Sequence, residues 1–210
     1  MATLSIYRLE RPGPSQPDLI KAADAIFGIT DDFRFSEADG RLSLRTQSHV
    51  VELDTASGAI WAADESQLFN PALRPKLPGA DDALALARDL VESRGLLPEL
   101  AEPARWGDPV VAGTRLAVLQ RKRRKDVDLD VQVVFPIMIG DLPIVGGGGD
   151  FTVVFGGAGA PIGFHGAWRN VADRFESTMI STKHAEAEFR RMHREIGTEL
   201  ESVTSYLAYY

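Results

Sequence analysis

The stretch that decides the fold runs from Asp126 to Trp168 and reads DVDLDVQVVFPIMIGDLPIVGGGGDFTVVFGGAGAPIGFHGAW. Val127, Leu129, Val131 and Val133 alternate with Asp128, Asp130 and Gln132, the period-two pattern of a strand with one wet face. Beyond it, apolar β-branched runs are broken by Gly140-Asp141, by Gly146 to Asp150 and by Gly156 to Pro161. This pattern predicts antiparallel strands joined by glycine turns, and it carries no recognisable catalytic group. Just upstream, Gly113 to Arg124 and Asp126 to Met138 are expected to pair as one long hairpin.

Working outward, Thr3 to Arg8 alternates weakly as a strand, and a proline-rich loop then leads into a helix over Asp18 to Phe27. Ser15 is the cap of that helix and Gly28 its stop. Short strands are expected at Phe33 to Phe35, Leu42 to Leu44, Val50 to Leu53 and Ala59 to Trp61. The turns between them, at Ala38 to Gly40, Thr46 to Ser48 and Thr55 to Gly58, have hairpin chemistry. Three prolines and a glycine between Phe69 and Ala80 place a boundary near residue 75. A second helix follows over Asp81 to Arg94, closed by Gly95, with acidic residues at its positive end. Lys183 to Ile196 reads as a third helix, and the closing ELESVTSYLAYY as a strand. The order suggests a duplicated unit, with SGAIW at 57–61 echoed by GFHGAW at 163–168. The expected fold class is therefore α+β, built from tandem helix-plus-antiparallel-sheet units. Their expected spans are 1–75, 76–180 with the long hairpin, and a helix and strand over 181–210.

The segment Gly140, Asp141, Leu142, Pro143, Ile144, Val145, Gly146, followed by a glycine turn into the strand ending GFHGAW, resembles the PepSY-type propeptide modules. These include the propeptides of thermolysin- and fungalysin-type proteases and the accessory regulators of cell-wall-sensing histidine kinases. The resemblance covers roughly residues 80–170, with the usual Asp-Gly order inverted to Gly-Asp. It implies a cystatin-like module that inhibits, chaperones or binds a partner, and it implies no active site. The kinase regulators carry a membrane anchor, and none is visible here. The AEAEF helix followed by SYLAYY resembles the start of a further repeat in long bacterial proteins of this kind.

The chain has 210 residues, no cysteine, a net charge of −7 and 44% hydrophobic residues. That composition is ordinary for a globular chain and excludes disulfides, thiolate catalysis and cysteine-ligated zinc. The acidic balance argues against a general nucleic-acid or anionic-membrane binder. The N-terminus lacks a basic stretch followed by an apolar one, and no run approaches the ~18 apolar residues of a membrane span. Met1 reads as a native start, so a cytoplasmic location is expected, an export segment missing from the chain being the alternative.

Candidate chemistry is sparse. Neither glycine cluster satisfies the dinucleotide or phosphate-loop spacing, and neither precedes a helix, so both are read as turns and no cofactor is expected. His184 and Glu188 form an i, i+4 pair, but in KHAEAEFRRMHRE a solvated charged face is preferred to a metal site. His193 lies half a turn out of phase with His184. No G-x-S-x-G elbow is present. Trp61, Trp106 and Trp168 are read as sheet or core anchors.

Two features point outward. Arg121, Lys122, Arg123 and Arg124 form the dense basic run of an acidic chain, read either as a hairpin tip ion-paired to Asp128 and Asp130 or as a docking patch. Tyr206, Tyr209 and Tyr210 mark an apolar terminal strand that must pair within the fold or with another chain, a second copy included. The expected function is a non-enzymatic binding or regulatory module that meets another protein through a sheet edge or the basic tip. The rival is a small-molecule enzyme with His165 and Asp150 as acid/base groups, favoured if a pocket of ~300 Å³ or more with convergent polar groups lies on the sheet face. A third reading is the N-terminal structural part of a longer bacterial protein.

Overall fold

The computed structural model describes residues 3–10, 14–70, 72–73, 76–120, 123–146, 148–178 and 181–195. The first half contains β1 (Thr3–Leu9), α1 (Gln16–Phe27), β2 (Arg34–Ala38), β3 (Arg41–Arg45), β4 (His49–Asp54) and β5 (Ile60–Asp64). Next come α2 (Ala80–Arg94), β6 (Ala104–Trp106), β7 (Val110–Ala112), β8 (Arg115–Gln120) and β9 (Arg123–Asp128). The remainder is β10 (Val131–Ile139), β11 (Leu142–Pro143), β12 (Asp150–Phe155), β13 (Pro161–Gly166), β14 (Val171–Thr178) and α3 (Thr182–Glu195). The chain divides into two compact units, one of the described residues within 1–10 and 170–208, the other of those within 11–169.

The larger unit is built on a ten-stranded antiparallel sheet in the order β11-β10-β12-β13-β5-β4-β3-β2, with β6 and β7 also paired to β10. This corrects the expected fold class. Strand makes up 41% of the described residues against 24% helix, so the chain is far more β-rich than tandem helix-plus-sheet units. The physical reason lies at the seam, where β13 pairs with β5 through Gly163↔Ala63, Phe164↔Ala62 and His165↔Trp61. Small residues let these strands meet: a Cβ on Gly163 would come 3.2 Å from the Val154 Cβ and 3.4 Å from the Ala62 carbonyl. The strands of the two halves thereby merge into one continuous ladder.

The helices form where the pattern places them. Asp18 accepts the Ser15 N–H at 2.8 Å and the Ser15 hydroxyl at 2.5 Å, which fixes the entrance of α1. Gly28 ends it at φ 70°, a left-handed conformation that glycine adopts without strain. Leu19, Ala23 and Ile26 form its buried stripe. They serve the sheet face carrying Leu42, Leu44, Val51, Leu53, Ala62 and Phe164, because Phe27 meets His49 on that face with ring centroids 4.7 Å apart. The second helix buries Ala83, Ala87 and Val91 and contacts β7 and β10. Its Arg94 donates to the carbonyls of Ala25 at 3.0 Å and Ile26 at 3.3 Å, tying the ends of the two helices together. Phe151 anchors the other half of the core, edge-on to Trp106 at 5.7 Å and tilted against Phe164 at 6.0 Å.

The single strand expected through Val127 to Val133 is two. Residues 115–120 and 123–128 form a separate two-stranded ribbon, and β10 starts anew at Val131. The chain turns at Leu129 and Asp130 because Leu129 N–H donates to the Thr114 carbonyl at 2.8 Å and Thr114 N–H to Asp130 Oδ1 at 2.9 Å. In the smaller unit β1 pairs antiparallel with β14, a strand the sequence reading did not anticipate. Arg8 bridges Asp173 at 3.3 Å there, and its guanidinium lies 5.1 Å from the Phe175 ring centre.

Candidate functional site

Cross-strand register sets Ser43, Glu52, Trp61, His165 and Thr152 in one row on the face opposite α1. Trp61, read from the sequence as a sheet or core anchor, lies in β5 and is 37% exposed. It floors a cleft of about 470 Å³ shared with Arg41, Glu52, Asp54, Ser57, Ala59 and Ile60. The polar groups of that cleft are already engaged. Glu52 lies 3.3 Å from Arg45 and 3.8 Å from Arg41. Asp54 Oδ1 accepts the Ser57 hydroxyl and the Ser57 N–H, both at 2.7 Å, and the Ala56 N–H at 3.1 Å. Those bonds, the Ser57 hydroxyl first, hold the Asp54 carboxyl below the usual carboxylate range. Asp54 is thus a turn anchor in its ionised form and is poorly suited to general-acid work.

At the other end of β4, Ser48 Oγ lies 3.0 Å from His49 Nδ1, and His49 Nε2 lies 3.9 Å from Asp64 Oδ2. The residue types are those of a hydrolytic triad, but the carboxylate is beyond hydrogen-bond reach of the ring. Asp64 instead serves the turn that follows it, accepting Ser66 and Gln67. His165 and Asp150, the acid/base groups considered from sequence, are not register partners, His165 lying opposite Thr152, and neither lines the Trp61 cleft. In α3 the Glu188 carboxylate is taken by Arg191, which lowers its pKa, and not by His184 as a metal pair. Among the described residues no group of three or more His, Cys, Asp or Glu is placed to hold a metal ion.

The sheet ends at β2, whose residues Arg34, Phe35, Ser36, Glu37 and Ala38 are all exposed. It joins β3 through a two-residue turn with Asp39 at φ 50° and Gly40 at φ 74°, the primed geometry that suits a tight hairpin. Such a turn makes Ala38↔Arg41 a hydrogen-bonded pair, and alternation then does the same for Ser36↔Ser43. The backbone N–H and C=O groups of Phe35 and Glu37 therefore point away from β3, on the side where no strand among the described residues pairs with β2. Phe35 is 36% exposed and shares its face with Leu44, so the apolar face of the sheet runs out to this edge.

Of the basic run, the described residues Arg123 and Arg124 open β9, Arg123 opposite Gln120. Arg121 and Lys122 lie outside the described residues. Arg124 Nε donates to Asp126 at 2.7 Å within its own strand, while the cross-strand pair is Arg115 with Asp128 at 2.6 Å. Asp130, expected on the wet face beside Asp128, is 2% exposed. Tyr206, Tyr209 and Tyr210 lie outside the described residues. No helix among the described residues is long and apolar enough to cross a membrane. Two features escaped the sequence reading: the exposure of Trp61 and the burial of Asp130. Neither is signalled by spacing, because both follow from long-range pairing. Compared with protein-family models, curated proteins and solved structures, the chain matches none.

Proposed function

We propose that the protein is a non-catalytic binding module that takes up an extended segment of another polypeptide along β2. The observation that carries this reading is the edge itself, exposed at all five residues and presenting the backbone groups of Phe35 and Glu37 outward. Strand addition to such an edge draws its affinity from main-chain hydrogen bonds and its selectivity from alternate side chains. Phe35 offers an apolar contact on one face, while Arg34 and Ser36 offer polar ones on the other. The shortness of β2 and its charged residues limit indiscriminate pairing, as edge strands require. The small-molecule reading draws on the Trp61 cleft, but the ion pairs and turn bonds that occupy its polar groups rank it second.

The test is selection of unstructured peptides from a displayed library against the immobilised protein, followed by affinity measurements on two variants. Glu37→Pro removes an outward N–H at an edge position where proline is tolerated, and Glu37→Ala controls for the side chain. Selected peptides are expected to lose tenfold or more in affinity for Glu37→Pro and to keep it for Glu37→Ala. Peptides that bind both variants as well as the parent contradict the proposal.

A further inference from the structure

The Trp61 cleft sets an aromatic surface beside both donors and acceptors. Two residues to either side of Trp61 stand Ala59 and Ala63, with Gly163 opposite Ala63, and these small residues leave the indole open. Arg41 and Glu52 Oε2 lie 3.8 Å apart, beyond hydrogen-bond length, so the pair keeps a donor and an acceptor to offer. Glu52 meets Arg45 through its other oxygen, and the turn bonds of Asp54 all fall on its Oδ1. Glu52 Oε2 and Asp54 Oδ2 are not among the buried atoms without a hydrogen bond, which in the described residues are Ser43 Oγ and Asp130 Oδ2. Both oxygens therefore meet solvent. The bonds that make these groups poor catalysts leave each of them able to take one more donor.

We propose that this cleft binds a neutral sugar, one pyranose ring of an oligosaccharide lying against Trp61. The charge balance argues for a neutral ligand. The carboxylates of Glu52 and Asp54 are matched by the guanidiniums of Arg41 and Arg45, so the cleft offers little net charge to hold a free cation or anion. A sugar hydroxyl both donates and accepts, so two neighbouring hydroxyls can meet a carboxylate oxygen and a guanidinium N–H at once. Such bonds are charge-assisted on the protein side and stronger than those between neutral partners. The C–H groups on one face of a pyranose carry slight positive charge, which suits the negative face of an indole. The volume of about 470 Å³ falls within the ~300–1,000 Å³ of ordinary small-ligand sites. The site needs no strand added at β2, so it stands or falls apart from the edge.

The experiment follows the backbone amide shifts of Ser57, Ala59 and Trp61 by NMR while the full chain is titrated separately with maltotriose, cellotriose and tri-N-acetylchitotriose. Adenosine, which offers a flat aromatic ring, and tetramethylammonium chloride, which offers a cation to the indole, are the controls. Saturable shifts with a midpoint on the order of 1 mM are expected for at least one of the sugars, and the sugar that responds identifies the class of glycan. Trp61→Ala removes the stacking surface and is expected to weaken binding by about tenfold or more. Arg41→Ala, at an exposed position, removes the charged donor, is expected to cost about tenfold as well, and serves if Trp61→Ala does not fold. The proposal is overturned by absent or non-saturating shifts with all three sugars, by equal shifts with adenosine or tetramethylammonium, or by undiminished binding in either folded variant.

Discussion

Replacing Asp64 with alanine removes the acceptor around which the turn after β5 is built. Its Oδ1 receives the Ser66 N–H at 3.0 Å and the Ser66 hydroxyl at 2.6 Å, and its Oδ2 the Gln67 side-chain amide at 2.6 Å. The residue is 7% exposed. Burial is the largest single influence on the carboxyl and pushes its pKa up. The Ser66 and Gln67 hydrogen bonds, helped by nearby His49, together outweigh it and leave the pKa below the ordinary 3.8. Hydrogen bonds to a charged group contribute about 1.5–3 kcal/mol each, but exposed Ser66 recovers water when its acceptor is lost. The expected net cost of Asp64→Ala at pH 7 is therefore about 3 kcal/mol, a melting-temperature loss of about 6–12 °C for a unit of this size. Because the folded pKa is depressed, the stabilisation is present above the unfolded value and fades as pH falls through the folded one. Urea unfolding of parent and variant, followed by tryptophan fluorescence, measures the difference at pH 7 and at steps below pH ~4. A difference under about 0.5 kcal/mol at pH 7, or one that stays constant into acid, refutes the reasoning.

Other perturbations test other parts of the fold. Arg94→Ala frees the Ala25 and Ile26 carbonyls and also removes a cation from the C-terminal end of α1, so a loss of about 1 kcal/mol is expected by urea unfolding. Gly166→Ala sets a Cβ against the ring of Phe151 inside the core, and calorimetry is expected to register about 1–3 kcal/mol of destabilisation. Reversal of Arg121, Lys122, Arg123 and Arg124 to glutamate is expected to leave edge-bound peptide affinity within about twofold, since the proposed contact is main-chain pairing at β2. A tenfold loss by titration calorimetry moves the docking site to the basic run.

The parts of the fold legible in the sequence are those governed by local chemistry. Gly28 and Gly95 stop their helices in left-handed geometry, and Asp39-Gly40 fixes a hairpin, because each residue type suits its own backbone conformation. What the sequence concealed is set by distant partners. The alternation from Val127 to Val133 continues in phase through Leu129 and Asp130, so nothing local marks the break imposed by Thr114. The pairing of Ala62 and Ala63 with Phe164 and Gly163 joins segments a hundred residues apart, and small residues are compatible with many neighbours. The candidate sites share that origin. Trp61 is exposed, and Asp130 buried, because of which strands lie beside them.

The central claim, that β2 accepts an added strand, is tested most directly by NMR on the protein with a selected peptide. The account predicts slowed exchange of the Phe35 and Glu37 amides on binding, with cross-strand contacts from both residues to the peptide backbone and no added protection at Ser36. Protection confined to the Trp61 cleft or the β8–β9 ribbon, with Phe35 and Glu37 exchanging as in the free protein, contradicts it.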